Sequence, residues 1–254
     1  MTHRIWVGLL AALCFAPSAA GQSPTTLPAT RPAIAAVPPR EQVILLPLHV
    51  HVLSADGRPD IHSTLTDDDL TRILGKVNRI WRQAGVQFVV TVHREPAENV
   101  EQFDQQKAAA PEDALGVYRT LAPAGTRRLP GIHVYYVHTL PPNGVYLGAN
   151  ICFVKDTASL RKVEGGIDEP IPRVTSHEIG HALGLPHRQD RTNLMASGTT
   201  GTSFNDAEVR IARGKAEKQP GKMTLAEAET AASAAETSGD TKQAAALRKA
   251  IPAE

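Results

Sequence analysis

Residues 177–187 read HEIGHALGLPH, the one stretch in which three histidines and a glutamate fall at short fixed intervals. Histidines four positions apart on a helix differ by about 40° around its axis and about 6 Å along it, so His177 and His181 can aim at one cation. Glu178, one step from His177, can reach a water on that cation without binding the cation itself. A third ligand has to come from outside the helix, so the helix must stop abruptly and the chain must turn back. Gly184 can take the left-handed conformation that ends a helix without a Cβ clash, and Pro186 cannot continue it. His187 is thereby delivered to the same ion. Three neutral imidazoles leave a fourth position open, as a catalytic rather than a structural zinc site requires.

The eleven residues fit the pattern H-E-x-x-H-x-x-G-x-x-H and resemble the signature of the metzincin zinc peptidases. Thr192-Asn193-Leu194-Met195-Ala196-Ser197, with its methionine eight residues past His187, is similar to the methionine turn of that family at matrixin-like spacing. Two departures stand out. Arg188 follows the third histidine, where several branches carry their own diagnostic residue, and Ser197 stands where some branches use a tyrosine.

The resemblance implies an α+β fold: a metzincin-like zincin domain with a twisted, mainly parallel mixed sheet, an antiparallel edge strand, an active-site helix and a C-terminal helix. Leu147–Val154 would be the edge strand, to which an extended peptide substrate could add by main-chain hydrogen bonds. One catalytic Zn2+ would be held by His177, His181 and His187. Glu178 would serve as the base that activates the zinc-bound water, and Met195 would pack beneath the imidazoles. The activity implied is that of a zinc-dependent endopeptidase on peptide or protein substrates. The alternative is a noncatalytic or narrow-specificity protein of the same fold, acting on short or cell-wall peptides.

With 254 residues, 42% hydrophobic and 21% charged, the chain can bury one good core with appendages. A formal charge of +1 offers no basic surplus for nucleic acid. Residues 1–20 read as a signal peptide, with a polar start at His3 and Arg4, an apolar run from Ile5 to Ala16 and small residues up to Ala20. A secreted or periplasmic monomer is therefore expected, with no stable membrane insertion after cleavage. A lipid-modified Cys14 is the alternative, which Leu13 disfavours. Only Cys152 then remains, as a buried strand residue, so no internal disulfide forms.

Residues 21–42, rich in Pro, Ala and Thr, form a spacer before a catalytic domain at 43–220. Strands are expected at Val43–Leu53, Val86–Val92, Ile132–Val137 and Leu147–Val154. A helix is expected over Thr66–Ala84, with Leu70, Ile73, Leu74, Val77, Ile80 and Trp81 on one face. A short helix is expected near Glu112–Leu121. His49, His51, His133 and His138, on or beside strands, read as structural. Asp56, Asp60, Asp156 and Asp168 lie scattered in loops, so Ca2+ is possible and undecided. Asn205-Asp206-Ala207-Glu208 opens a helix that Pro220 must end. Two further capping patterns, at Thr224 and Asp240, make 221–254 an alanine-rich helical hairpin. It either leans on the main domain or serves as an interaction module.

Overall fold

The computed structural model describes residues 36–111 and 115–253. The signal peptide, Cys14 and most of the spacer lie outside the described residues, as do 112–114 of the helix expected near Glu112. The remainder of that segment is a two-turn 3-10 helix, Gly116–Leu121.

The chain opens with β1 (Ile44–Ser54), α1 (Asp67–Arg82) and β2 (Val86–Pro96), a β-α-β unit with parallel strands. α1 is helical for the reason its sequence states: Leu70, Ile73, Leu74, Val77, Ile80 and Trp81 are all buried. Its start is a reciprocal cap in which Thr66 Oγ1 accepts from the Asp69 amide (3.1 Å) and Asp69 accepts from the Thr66 amide (3.0 Å). At its far end Gly85, at φ 63°, turns the chain, and Arg213 donates to the freed carbonyls of Ala84 and Gly85.

After α2 (Val100–Ala109) come β3 (Ile132–Val137), β4 (Gly144–Tyr146) and β5 (Ile151–Lys155). The sheet order is β2-β1-β3-β5-β4, parallel except for β4. This corrects the expectation for Leu147–Val154. That stretch is not one edge strand, because Gly148, Ala149 and Asn150 are all left-handed (φ 81°, 49° and 61°) and reverse the chain in its middle. β5 is an inner strand beside β3, and the antiparallel edge is the three-residue β4.

α3 (Pro170–Ala182) and α4 (Asp206–Ala216) complete the layer on one face of the sheet with α1. α4 stops before Pro220, in a turn closed by the Gln219 amide on the Ala216 carbonyl. The last elements, β6 (Met223–Thr224), α5 (Leu225–Ser238) and α6 (Thr241–Ala250), lie on the opposite face. β6 pairs with the start of β1, and Leu225, Ala228, Ala232, Leu247 and Ala250 bury Val43 and Leu45. Arg40, at the end of the spacer, donates to the Pro252 carbonyl and pairs with Glu229. The hairpin is thus part of the sheet's packing, and the described residues form one compact unit. No helix among the described residues is long and apolar enough to cross a membrane.

Because Leu247 is 1% exposed against the sheet, Leu247→Ala should cost about 2–4 kcal/mol in a single cooperative unfolding transition. Chemical denaturation followed by fluorescence and far-UV dichroism measures this. A main transition left unmoved would mean that the hairpin folds apart from the domain.

Candidate metal centre

The centre is built by the end of α3. Leu183 caps the helix, Gly184 takes φ 82°, and two bonds close the turn: the Gly184 amide on the His181 carbonyl (3.0 Å) and the Leu185 amide on the Gly180 carbonyl (2.9 Å). This is the reversal the sequence requires, and it brings His187 back to the helix. His187 Nε2 lies 3.2 Å from both His177 Nε2 and His181 Nε2. Among the described residues this is the one group of three His, Cys, Asp or Glu whose donor atoms converge.

Hydrogen bonding decides which nitrogens are bare. His177 Nδ1 donates to the Leu194 carbonyl (2.8 Å) and His181 Nδ1 to the Leu185 carbonyl (2.9 Å). A carbonyl only accepts, so both rings, when neutral, present unprotonated Nε2 atoms to His187. Burial keeps them neutral: it lowers His177 to about 3, helped by the Arg173 charge, and it also lowers His181. Two bare nitrogens, with His187 Nε2 at 3.2 Å from each, suit a cation shared by all three. Tetrahedral zinc with Zn–N bonds of 2.0–2.1 Å would set its ligand nitrogens about 3.3–3.4 Å apart. The residues fit the ion.

Glu178 is 5% exposed and lines the same cleft, a hollow of about 610 Å³ bordered by Asn143–Tyr146, Leu160, His177, His181, His187 and Ser197–Gly198. Burial pushes its carboxyl up to about 8, opposed by the Arg173 charge and by the Tyr146 amide, which donates to it. β4 runs directly over it. A Cβ on Gly144 would come within 2.8 Å of Glu178 Oε1, so only glycine lets the strand lie this close.

Met195 is fully buried under the helix, and a Cβ on Gly180 would sit 2.5 Å from its sulfur. Its turn is held from three sides. Asn193 Oδ1 accepts from the Met195 amide (2.7 Å), the Arg188 amide donates to the Met195 carbonyl (2.9 Å), and Glu208 accepts from both Asn193 (2.7 Å) and Arg188 (2.7 Å). Glu208 was readable only as a helix cap, a task its Oε2 also performs for the Asn205 amide.

Arg173 escaped sequence reasoning altogether. It is 2% exposed and donates to the carbonyls of Gly201 and Ala196. Its Nη1 lies 3.3 Å from His177 Nδ1, whose proton already goes to Leu194. The signal was available in its place one helical turn before His177, on the same face.

The four loop aspartates do not converge. Asp60 pairs with Arg58 and Asp168 with Lys76, while Asp156 accepts from Ser63 and the Thr64 amide and pairs with His138. Cys152 is buried on β5, as expected, and burial raises its thiol well above the usual range.

The mixed sheet, its antiparallel edge strand and the convergent histidine triad are consistent with the metzincin class of zinc peptidases. Within that class, residues 101–213, from α2 to α4, match the family model Matrixin. No curated protein matches the chain. Sixty chains of known structure do. One of them, described as "Structure of a chaperone-substrate complex", is 11% identical with a TM-score of 0.40 over 70% of this chain. This chain covers 35% of that one, and so slight a likeness bears on nothing here.

The Gly180–Met195 contact is directly testable. Gly180→Ala should destabilise the protein by about 1–3 kcal/mol through overpacking, despite the better helix propensity of alanine. In a denaturation cycle with Met195→Ala, the double variant should recover part of that loss; strictly additive losses would show that the two residues do not meet.

Proposed function

We propose that the chain is an exported zinc-dependent endopeptidase. The observation that carries this reading is the convergence of three imidazole nitrogens at one wall of a cleft, with the buried carboxyl of Glu178 on the same wall. The Matrixin match supports the peptidase class. Export rests on residues 1–20 alone, a polar start followed by an apolar run and small residues.

Zinc held by His177, His181 and His187 would supply a Lewis acid that polarises the scissile carbonyl and makes water acidic enough to attack it. The remaining work falls to the chain's own residues. Glu178 takes the attacking water's proton on its carboxylate and passes it to the leaving amine nitrogen. Burial suits it to this exchange, since a carboxyl raised to about 8 holds a proton far more readily than an exposed one. A divalent cation nearby draws the same group back towards the ionised form in which it can accept. Gly144 and the Tyr146 amide hold the carboxyl against β4.

β4 is the free edge of the sheet beside the cleft, so an extended substrate would pair with Gly144–Tyr146 rather than with residues 147–154. Main-chain pairing holds a peptide across the centre with limited regard for its sequence. The opposite wall is the 157–169 loop bonded to the 197–201 segment: the Arg161 amide donates to the Gly198 carbonyl, and the Ile167 amide to that of Thr200. Lys76 fastens this loop to α1 through Asp168 and Glu169.

Incubating the mature protein with a diverse peptide library, with and without a zinc chelator, and reading the products by mass spectrometry tests the activity. Chelator-sensitive internal cleavage restored by zinc is expected. Glu178→Ala should keep stoichiometric zinc and lose turnover to near background. Substantial residual cleavage by this variant would remove Glu178 from the role assigned to it.

A further inference from the structure

On the sheet face away from the metal centre, four histidines from three strands form one layer: His49 and His51 on β1, His93 on β2 and His133 on β3. Their rings stack, His51 on His93 (4.8 Å) and His49 on His133 (4.9 Å), and Tyr135 covers His51 at 4.1 Å. His51 is fully buried and His133 is 2% exposed. Over the layer runs the segment that leads into β3, contributing the carbonyls of Leu129 and Pro130.

Counting protons separates the layer into two pairs. In the outer pair His49 Nε2 donates to the Pro130 carbonyl (3.2 Å), and His93 Nε2 donates to His49 Nδ1 (3.1 Å). That is two contacts served by the two protons of two neutral rings, and the account closes. The inner set has three contacts in series: Glu95 Oε1 to His51 Nδ1 (2.6 Å), His51 Nε2 to His133 Nδ1 (3.0 Å), and His133 Nε2 to the Leu129 carbonyl (3.0 Å). Each needs a proton. An ionised carboxylate and two neutral rings bring only two.

We infer that Glu95, His51 and His133 hold one further proton in the folded protein, a buried proton latch that fastens the Leu129–Gly131 segment to the sheet. Folding above the ordinary histidine range therefore takes one proton from solvent, and removing it sets two lone pairs against each other and loosens the latch. A charged ring is disfavoured here. Burial and the neighbouring rings push His51 down to about 2, and burial lowers His133. The proton completes one run of donors: His51 Nε2 donates to His133 Nδ1, His133 Nε2 donates to the Leu129 carbonyl, and Glu95 shares the proton at His51 Nδ1.

The groups facing this chain agree with that. His49 and His93 lie beside it and bond to each other, Thr126 donates to Glu95 (2.9 Å), and the Tyr135 hydroxyl is buried without a partner. Glu98 and Arg127, the other charged groups that act on Tyr135, oppose each other in sign. Each ring nitrogen meets a different neighbour, and no three donors of the layer converge as those of the triad do.

The sign of the pH effect follows. Between pH 7 and 8 the unfolded chain has Glu95 ionised and both rings neutral, whereas the folded protein keeps the extra proton. The latch's contribution is greatest near the ordinary histidine range and falls throughout that window as pH rises towards its folded-state release. Glu95→Gln supplies the missing donor permanently, because its amide can donate to His51 Nδ1 without any proton from solvent.

Two measurements on the zinc-loaded mature protein test the latch. In wild type, 15N imidazole spectra at pH 7 should show a proton on His51 Nε2. From pH 7 to 8 the wild-type unfolding constant should rise up to tenfold more than that of Glu95→Gln, a difference that cancels other titrating groups such as Glu178 and Cys152. Should the variant not fold, the wild-type spectrum decides alone. A His51 ring protonated on Nδ1 only, or parallel slopes for the two proteins, overturns the assignment.

Discussion

Two carbonyl oxygens dictate the centre. By taking the Nδ1 protons of His177 and His181, Leu194 and Leu185 leave two bare Nε2 atoms pointing at the same place, and the turn at Gly184 adds His187 at 3.2 Å from each. Two bare nitrogens set beside a third ring form a site that a shared cation would stabilise. The surroundings keep it in being. Met195 fills the space beneath Gly180, Arg173 ties the 196–201 segment to α3, and Glu208 clamps the methionine turn to α4. Groups that orient ligands in this way set metal affinity nearly as much as the ligands do.

The same supports explain where charge can reside. Arg173 is a buried cation with carbonyls rather than a carboxylate as direct partners, and burial lowers its guanidinium to about 10, which leaves it charged at neutral pH. Its field opposes protonation of His177 and favours ionised Glu178. Both effects prepare the wall for a metal and for a carboxylate base. One buried arginine thus offsets part of the cost of placing an acidic side chain at 5% exposure.

What could be read from the sequence was what local periodicity or a single backbone conformation controls. The buried face of α1 is the one its spacing marks, and the His187 reversal follows from Gly184 alone. The edge strand was misread because Val145-Tyr146-Leu147 and Ile151-Cys152-Phe153 are equally apolar, and nothing in composition signals left-handed Ala149 between them. A three-residue strand behind two prolines looks like a turn. Glu208 advertised only its local cap, since its other partners lie fifteen and twenty positions away: the capping Oε2 also accepts from Asn193, and Oε1 accepts from Arg188. Contacts of that range depend on how layers stack, which no window of sequence contains.

Why one set of histidines makes a metal centre and the other a proton chain follows from the elements that carry them. A helix presents residues i and i+4 along one face, and a tight reversal can bring a third ring against both, so nitrogens converge on a point. Neighbouring strands instead stand about 4.8 Å apart with side chains perpendicular to the sheet, which spaces imidazoles like plates in a row. Three ring pairs of the layer stack at 4.8–5.3 Å, and each nitrogen meets a different partner. Convergent lone pairs demand a cation that all can share. Serial ones alternate donor and acceptor, and the only quantity left to adjust is the number of protons along the line.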